Sequence, residues 1–407
     1  MHYNYLIYSE IVTFFSIDKC SNSMLESYID GGIEGNPEIV GMSSSGLDDV
    51  INLLKKQVKE KLHSGTQLHI AREGQTVLNI AIGEARPGVP MKRNTVMHLY
   101  SAGKPWTALA IAQLYEQGKL DIYQPIQTII PEFVNGKESC TIEHVLIHEG
   151  GFPMWKYPQD HTANCEEWIR DICSEKAEYV PGTQCGYHHA SGWVLLGEIV
   201  RIIDGRKIEK YIEDEIFTPL GLNDSSLGMI KHKAEQLGGR LALKDTSPDY
   251  IPWAHFYNLF GNNPDHVILP GGSSYSTATD LGKFYKALWN GGESSEGTRI
   301  IKRKTLNLFT ATHRMGITDQ ILSLPNLGEF DLRPSYGYGF FKGKALGLMC
   351  SPDTFGHVGM RSSVNFCDPK IDLIINFNSN TLLNVEPVFK RANDIKSAIY
   401  NTCRYKF

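Results

Sequence analysis

Val96-Met97-His98-Leu99-Tyr100-Ser101-Ala102-Gly103-Lys104-Pro105-Trp106-Thr107 is the stretch on which the reading of this chain turns. Val96 to Tyr100 is apolar and strand-like, and a helical pattern runs from Thr107 to Gln117. A serine and a lysine three residues apart share one helical face, so a neutral Lys104 amine is within reach of the Ser101 proton. The start of a helix also offers free N–H groups and a positive dipole end to the anion formed when a serine attacks a carbonyl. Pro105 suits the first turn, which has no use for its missing donor. Ser16-Ile17-Asp18-Lys19 repeats the spacing with neither a strand before it nor a helix after it, so context rather than spacing carries the inference.

Working outward, Ser43 to Ser45 caps a helix whose Leu47, Val50, Ile51, Leu54, Val58 and Leu62 form one stripe, ended by Ser64-Gly65. Gln67 to Ala71 and Thr76 to Ile82 read as a hairpin about Arg72-Glu73-Gly74-Gln75. At the other end Thr354 to Gly359, Ser362 to Cys367 and Leu373 to Phe377 read as strands, the last two joined by a turn at Asp368 to Asp372. A closing helix keeps Val388, Ala392, Ile395 and Ile399 in register. Residues from about 105 to 330 are rich in helices and loops, with a clear helix from Ser191 to Asp204. The expected fold is α+β: residues 46–104 and 331–407 form one sandwich of antiparallel sheet and helices, residues 105–330 an inserted helical lobe, and residues 1–45 an extension. A site belongs in the cleft between the lobes.

The 407 residues, 42% of them apolar, suffice for a large core, and a net charge of −5 gives no case for nucleic acid or an anionic membrane. The eight cysteines contain no C-x-x-C pair and read as free thiols. Glu10 interrupts the apolar N-terminal patches and no lysine or arginine precedes Lys19, which is not the pattern of a secretory signal. No apolar run approaches the ~18 residues of a membrane span, so a cytoplasmic protein is expected.

Other residues complete a site. Tyr187, in Cys185-Gly186-Tyr187-His188-His189-Ala190, precedes the 191–204 helix. A phenol beside a lysine ammonium has a lowered pKa and can exchange protons with a leaving group; the competing reading is an aromatic anchoring a loop. His188 and His189 lack further metal ligands at useful spacing, and His144 with His148 reads as a structural pair on a helix ended by Gly150-Gly151. Gly356-His357-Val358-Gly359-Met360 lies on a strand whose glycines suggest close approach of another backbone or a ligand. If a carbonyl lies along it, the N–H groups of Ser101 and Met360 form an oxyanion hole.

In this order the elements resemble the serine β-lactamase and penicillin-binding-protein superfamily, in its class C-like branch with the family VIII carboxylesterases. Thr95 to Lys104 resembles the family's nucleophile segment. Thr141-Ile142-Glu143-His144-Val145-Leu146-Ile147-His148-Glu149-Gly150-Gly151 is similar to its "LLTHTSG" pattern. Tyr187 with Gly192 to Glu198 resembles the tyrosine motif of the esterases, and Pro219 to Leu222 and Ser276 to Leu281 are further landmarks. The resemblance implies Ser101 as acylated nucleophile, Lys104 as its base and Tyr187 as second acid/base. It places His357, Gly359, Met360 and His189 at the oxyanion and substrate-binding positions. His357-Val358-Gly359 stands where β-lactamases carry Lys-Thr-Gly, and His189 where asparagine is frequent. A histidine mostly neutral at pH 7 suits an esterase or transacylase better than a β-lactamase.

The expected function is therefore hydrolysis of a small-molecule ester or amide through an acyl-enzyme. The alternatives are transfer of the acyl group to an alcohol or amine, and a catalytically silent binding protein of the same fold. No metal or organic cofactor is implied, and no G-x-S-x-G elbow supports an α/β-hydrolase. Trp106, Trp155, Trp193, Trp253, Phe256 and Tyr257 fit either an apolar substrate or the core.

Overall fold

The structure is a computed structural model that describes residues 28–152, 165–246, 268–322 and 333–404. In chain order, β1 (Ile29–Ile33) leads to α1 (Ser44–Lys59), β2 (Gly65–Arg72), β3 (Gln75–Arg86), β4 (Val89–Pro90), β5 (Met97–Tyr100) and α2 (Lys104–Glu116). Then come α3 (Ile142–Leu146), α4 (Cys165–Ser174), α5 (Ser191–Asp204), α6 (Ile208–Ile212), β6 (Ser226–Leu227), α7 (Lys231–Leu237) and β7 (Asp245–Thr246). The remaining elements are β8 (Ser274–Ser276), α8 (Ala278–Trp289), α9 (Arg303–Thr310), β9 (Phe341–Lys342), β10 (Phe355–Gly359), β11 (Ser363–Asp368), β12 (Leu373–Ser379), β13 (Thr381–Leu382) and α10 (Val385–Thr402).

The two ends of the chain meet in one antiparallel sheet of order β1-β3-β2-β12-β11-β10-β9, with β4 paired to β3. The joining pair is β2 with β12, from Leu373 opposite Arg72 to Ser379 opposite Thr66. Period-two alternation gives each face its own core. Leu68, Ile70, Ile375 and Phe377 point to a cluster with Leu47, Val50 and Leu54 of α1 and Ile395 and Ile399 of α10. Ala71 and Ile374 point the other way, into a core shared with Trp106 and Leu109 of α2 and with Leu281 and Phe284 of α8. Both faces are covered, which is why β2 is buried along its whole length. Each fully buried leucine or phenylalanine is worth roughly 1.5–3 kcal/mol of transfer free energy.

Ser43 caps α1 by accepting from the Gly46 N–H. The helix stops at Lys59, one turn before Leu62, because Lys61 turns left-handed at φ 59° and the N–H groups of Lys61 and Leu62 close back on the carbonyls of Val58 and Gln57.

Two boundaries move. Ile29–Ile33, expected within an extension, is an edge strand in register with Leu78–Ile82 of β3, and Met42 bridges Cys403. Its two glycines hide it from a propensity reading, yet Gly31 is required: at φ 90° a Cβ there would sit 2.2 Å from the Asn79 carbonyl oxygen. Helix α8, expected in the 105–330 lobe, packs on β2 and β12. Its N-cap at Thr277 and its apolar stripe were readable, but a stripe does not name its partner. Ser16-Lys19, Trp155, Trp253, Phe256 and Tyr257 lie outside the described residues. Among the described residues the cysteines are free, and no helix is long and apolar enough to cross a membrane.

Candidate active site

Strand β5 delivers Ser101 through a strained corner: Tyr100 adopts φ 52°, ψ −126°, and Ser101–Gly103 form a single 3-10 turn that runs into α2. Gly103 has no room for a side chain, since a Cβ would come within 2.3 Å of Ser274 on β8. Helix α2 is buried on nearly all sides, so its first turn is rigidly placed.

Lys104 is fully buried and Ser101 half-buried. The Lys104 Nζ lies 3.0 Å from Ser101 Oγ, 3.0 Å from the His189 carbonyl oxygen and 2.6 Å from that of Gly271. Burial holds its pKa well below the lysine range, and among the described residues no carboxylate pairs with it to offset that. An ammonium donates to all three oxygens. The neutral amine keeps its two N–H donors on the two carbonyls and turns its lone pair to the Ser101 hydroxyl. The environment thus favours the neutral amine and leaves its lone pair for the Ser101 hydroxyl, the arrangement that a general base requires.

Tyr187 comes to the same place: Lys104 Nζ is 5.1 Å from the centre of its ring and 5.2 Å from that of Trp193. The Tyr187 loop is pinned by Asp319, whose Oδ1 accepts from the Tyr187 N–H at 3.0 Å and also from those of Ile321 and Leu322. Asp319 pairs with Arg314 at 3.7 Å, both side chains fully covered. Removing one partner of such a pair typically costs about 3–5 kcal/mol, so this clamp is a rigid footing.

Strand β10 approaches from the far side. A Cβ on Gly359 would lie 1.9 Å from the Leu99 carbonyl oxygen, so only glycine lets β10 pack against the end of β5. Met360 then packs with Tyr100 and Leu382 beside the Ser101 turn. This brings together Ser101, Lys104, Tyr187, Gly359 and Met360.

The two histidines stand differently from the expectation. His357 is fully buried: its Nδ1 lies 2.7 Å from the Val358 carbonyl oxygen, which it must donate to, and its Nε2, 2.8 Å from the Tyr336 hydroxyl, accepts. Desolvation, and then the nearby Lys104, push its pKa well below the histidine range. Both ring nitrogens are committed to protein groups, so His357 is a neutral interior residue rather than a substrate ligand. His189 is half-buried and serves Lys104 through its carbonyl; its ring meets Tyr187 edge-on at 5.1 Å. Burial and Lys104 lower its pKa to about 4.

The sequence reading missed Tyr336, the Gly271 carbonyl and the Arg314–Asp319 clamp, all remote from the motifs. It read His148 as structural, and the structure agrees while adding a place: at φ 68° His148 lies 4.4 Å from Tyr187 and 4.8 Å from Tyr336, ring centre to ring centre. Its Nδ1 accepts from the His188 N–H at 3.0 Å. No group of three metal-ligating side chains occurs among the described residues. Trp106 and Trp193 are core residues.

Comparison with known proteins agrees with this architecture. The chain is 24% identical over 384 residues to the esterase/β-lactamase LipL of Mycobacterium tuberculosis, covering 87% of this chain and 85% of that one. Its fold superposes with a TM-score of 0.75 on a penicillin-binding protein homologue from Caulobacter crescentus, at 24% identity over 89% of this chain and 99% of that one. A family VIII carboxylesterase gives the same score at 23% identity and the same coverage. Residues 50–399 match the Beta-lactamase family, and on a match of that extent the chain belongs to it.

Proposed function

We propose that the protein is a serine hydrolase that cleaves a small-molecule ester through an acyl-enzyme on Ser101. The observation that carries this is the buried Lys104, whose two carbonyl partners leave its third hydrogen-bonding direction on Ser101 Oγ.

Ser101 Oγ attacks the ester carbonyl carbon as its proton passes to Lys104 Nζ. The N–H groups of Ser101 and Met360 take the developing oxyanion, aided by the positive end of α2. When the tetrahedral species collapses, the bond to the leaving alcohol breaks, and the proton returns from Lys104, or from Tyr187, to that oxygen. Water then attacks the acyl carbon, losing a proton to the same base; the bond to Ser101 Oγ breaks, that oxygen regains the proton from the base, and the acid leaves. The neutral, committed His357 supports an ester over a β-lactam, because it offers no charge to a substrate carboxylate. The free cysteines support a reducing, cytoplasmic setting.

The test is intact-mass spectrometry after exposure to p-nitrophenyl esters and a fluorophosphonate. An adduct on Ser101 in the wild type and none in S101A or K104A is the expected result. Folded wild-type protein without adduct would overturn the reading in favour of a silent binding protein. Turnover that depends on an added alcohol or amine would assign acyl transfer instead of hydrolysis.

A further inference from the structure

A second serine and lysine meet on the far side of the oxyanion turn. Lys244, immediately before β7, places its Nζ 3.1 Å from Ser362 Oγ, 2.9 Å from the Ser379 carbonyl oxygen and 5.1 Å from the centre of the Tyr100 ring. Ser362 is 1% exposed, so it is closed to a substrate. What its hydroxyl does is donate to the Gly359 carbonyl oxygen, at 3.3 Å, while accepting from Lys244.

That carbonyl belongs to the same peptide unit as the Met360 N–H. A peptide unit is planar and trans, so fixing its C=O aims its N–H in the opposite direction. Aim is needed here. The two residues that turn β10 into β11, Met360 and Arg361, have φ 26° and 56°, a tight hairpin turn normally reserved for asparagine and glycine. Such a conformation persists only where surrounding contacts hold it. The Ser362 N–H closes the turn on the Gly359 oxygen at 2.8 Å, and Arg391 donates to the Arg361 carbonyl from the other side. The other oxyanion donor is arranged alike: the peptide that carries the Ser101 N–H has the Tyr100 carbonyl, which accepts from Ser274 Oγ.

We propose that Lys244 and Ser362 are positioning residues that aim the Met360 N–H into the oxyanion hole, as Ser274 aims that of Ser101. The inference rests on the acyl-enzyme reading above. Lys244 sits against Tyr100 on one side and the Met360 turn on the other, so it also sets the spacing of the two donors. Its charged neighbour is Arg391, and the titratable ring near it is His98, whose ring centre lies 3.9 Å from that of Tyr100 at a tilt of 40°.

The test compares wild type, K244M, S362A, the double variant and K244R with p-nitrophenyl acetate and with phenylboronic acid, which forms a tetrahedral adduct on a reactive serine. Misplacing a donor by a fraction of an ångström is expected to slow acylation about tenfold in K244M and in S362A. Phenylboronic acid affinity falls in proportion, KM changes by less than about twofold, the double variant is no worse than K244M, and K244R recovers part of the loss. Wild-type acylation rates in S362A, or slowed acylation with unchanged boronic acid affinity, would overturn the proposal. S362A decides the matter if K244M does not fold. A wild type that forms no adduct would instead overturn the acyl-enzyme reading on which the proposal rests.

Discussion

Two serine–lysine pairs with nearly equal separations, 3.0 Å for Ser101 with Lys104 and 3.1 Å for Ser362 with Lys244, do different work in this molecule. The first is local: residues one helical turn apart supply it, the lysine is sealed in and the serine is only half-buried. The second is assembled from a residue before β7 and a turn between β10 and β11, and its serine is covered. In the first pair the remaining lysine donors are taken by two carbonyls, which leaves the lone pair for the serine proton. In the second, the serine donates its hydrogen bond to the Gly359 carbonyl oxygen, and the pair acts on backbone. Distance between a serine and a lysine does not define a nucleophile; exposure of the hydroxyl and the direction of its proton do.

The comparison breaks most sharply at the first pair. S101A and K104M are expected to lower acylation by at least about 10³-fold, since nucleophile and base act as a unit; stopped-flow measurement of the p-nitrophenol burst checks this. A residual burst in S101A would mean that another group is acylated. Gly359 is where the two regions touch. A Cβ there must push β10 off Leu99, so G359A should cost on the order of 10²-fold in acylation with a measurable fall in Tm, read by the same burst and by calorimetry. An active, stable G359A would show that the spacing of β5 and β10 is not critical.

The pH dependence separates the lysines next. Lys104 must be neutral to act, and burial lowers its pKa, so acylation should rise about tenfold per pH unit and level off well below the ordinary lysine value of 10.5. The wild-type profile of kcat/KM against pH gives that inflection directly. A rise continuing beyond the ordinary lysine range would contradict the neutral-amine assignment. The smallest effect is expected behind the site. Y336F leaves His357 Nε2 buried without its donor and should cost about 1–3 kcal/mol of stability by urea unfolding, with acylation changed only a few-fold. A loss comparable with K104M would give Tyr336 a direct part in the chemistry.

Legibility followed range. Helix α5 was found to the residue because a 3.6-residue apolar period and the C-cap Gly205 are written in contiguous sequence. The β2–β3 hairpin and the three C-terminal strands were legible as short runs, with turn residues at Arg72 to Gln75 and at Asp368 to Asp372. β1 was missed because Ile29-Asp30-Gly31-Gly32-Ile33 trades strand propensity for a close approach that exists only once β3 is beside it. Among the candidate site residues, the nearness of Ser101 to Lys104 was legible from their flanks, and the close approach at Gly359 from the need for a glycine on a strand. His357 was expected at the substrate, whereas both its ring nitrogens are committed to protein groups, one of them to Tyr336, 21 residues earlier in the chain.

The sequence by itself determined most of the elements and the adjacency of Ser101 and Lys104, because these rest on local pattern and on contacts within one helical turn, and its strands at both ends pointed to one shared sheet. Only the tertiary structure decided that Lys104 has two carbonyls and, among the described residues, no carboxylate beside it, that His357 faces inward, and that Lys244 braces the turn beyond Gly359. Each of those depends on groups far apart in the chain, and the desolvation that sets their protonation is created by the fold as a whole.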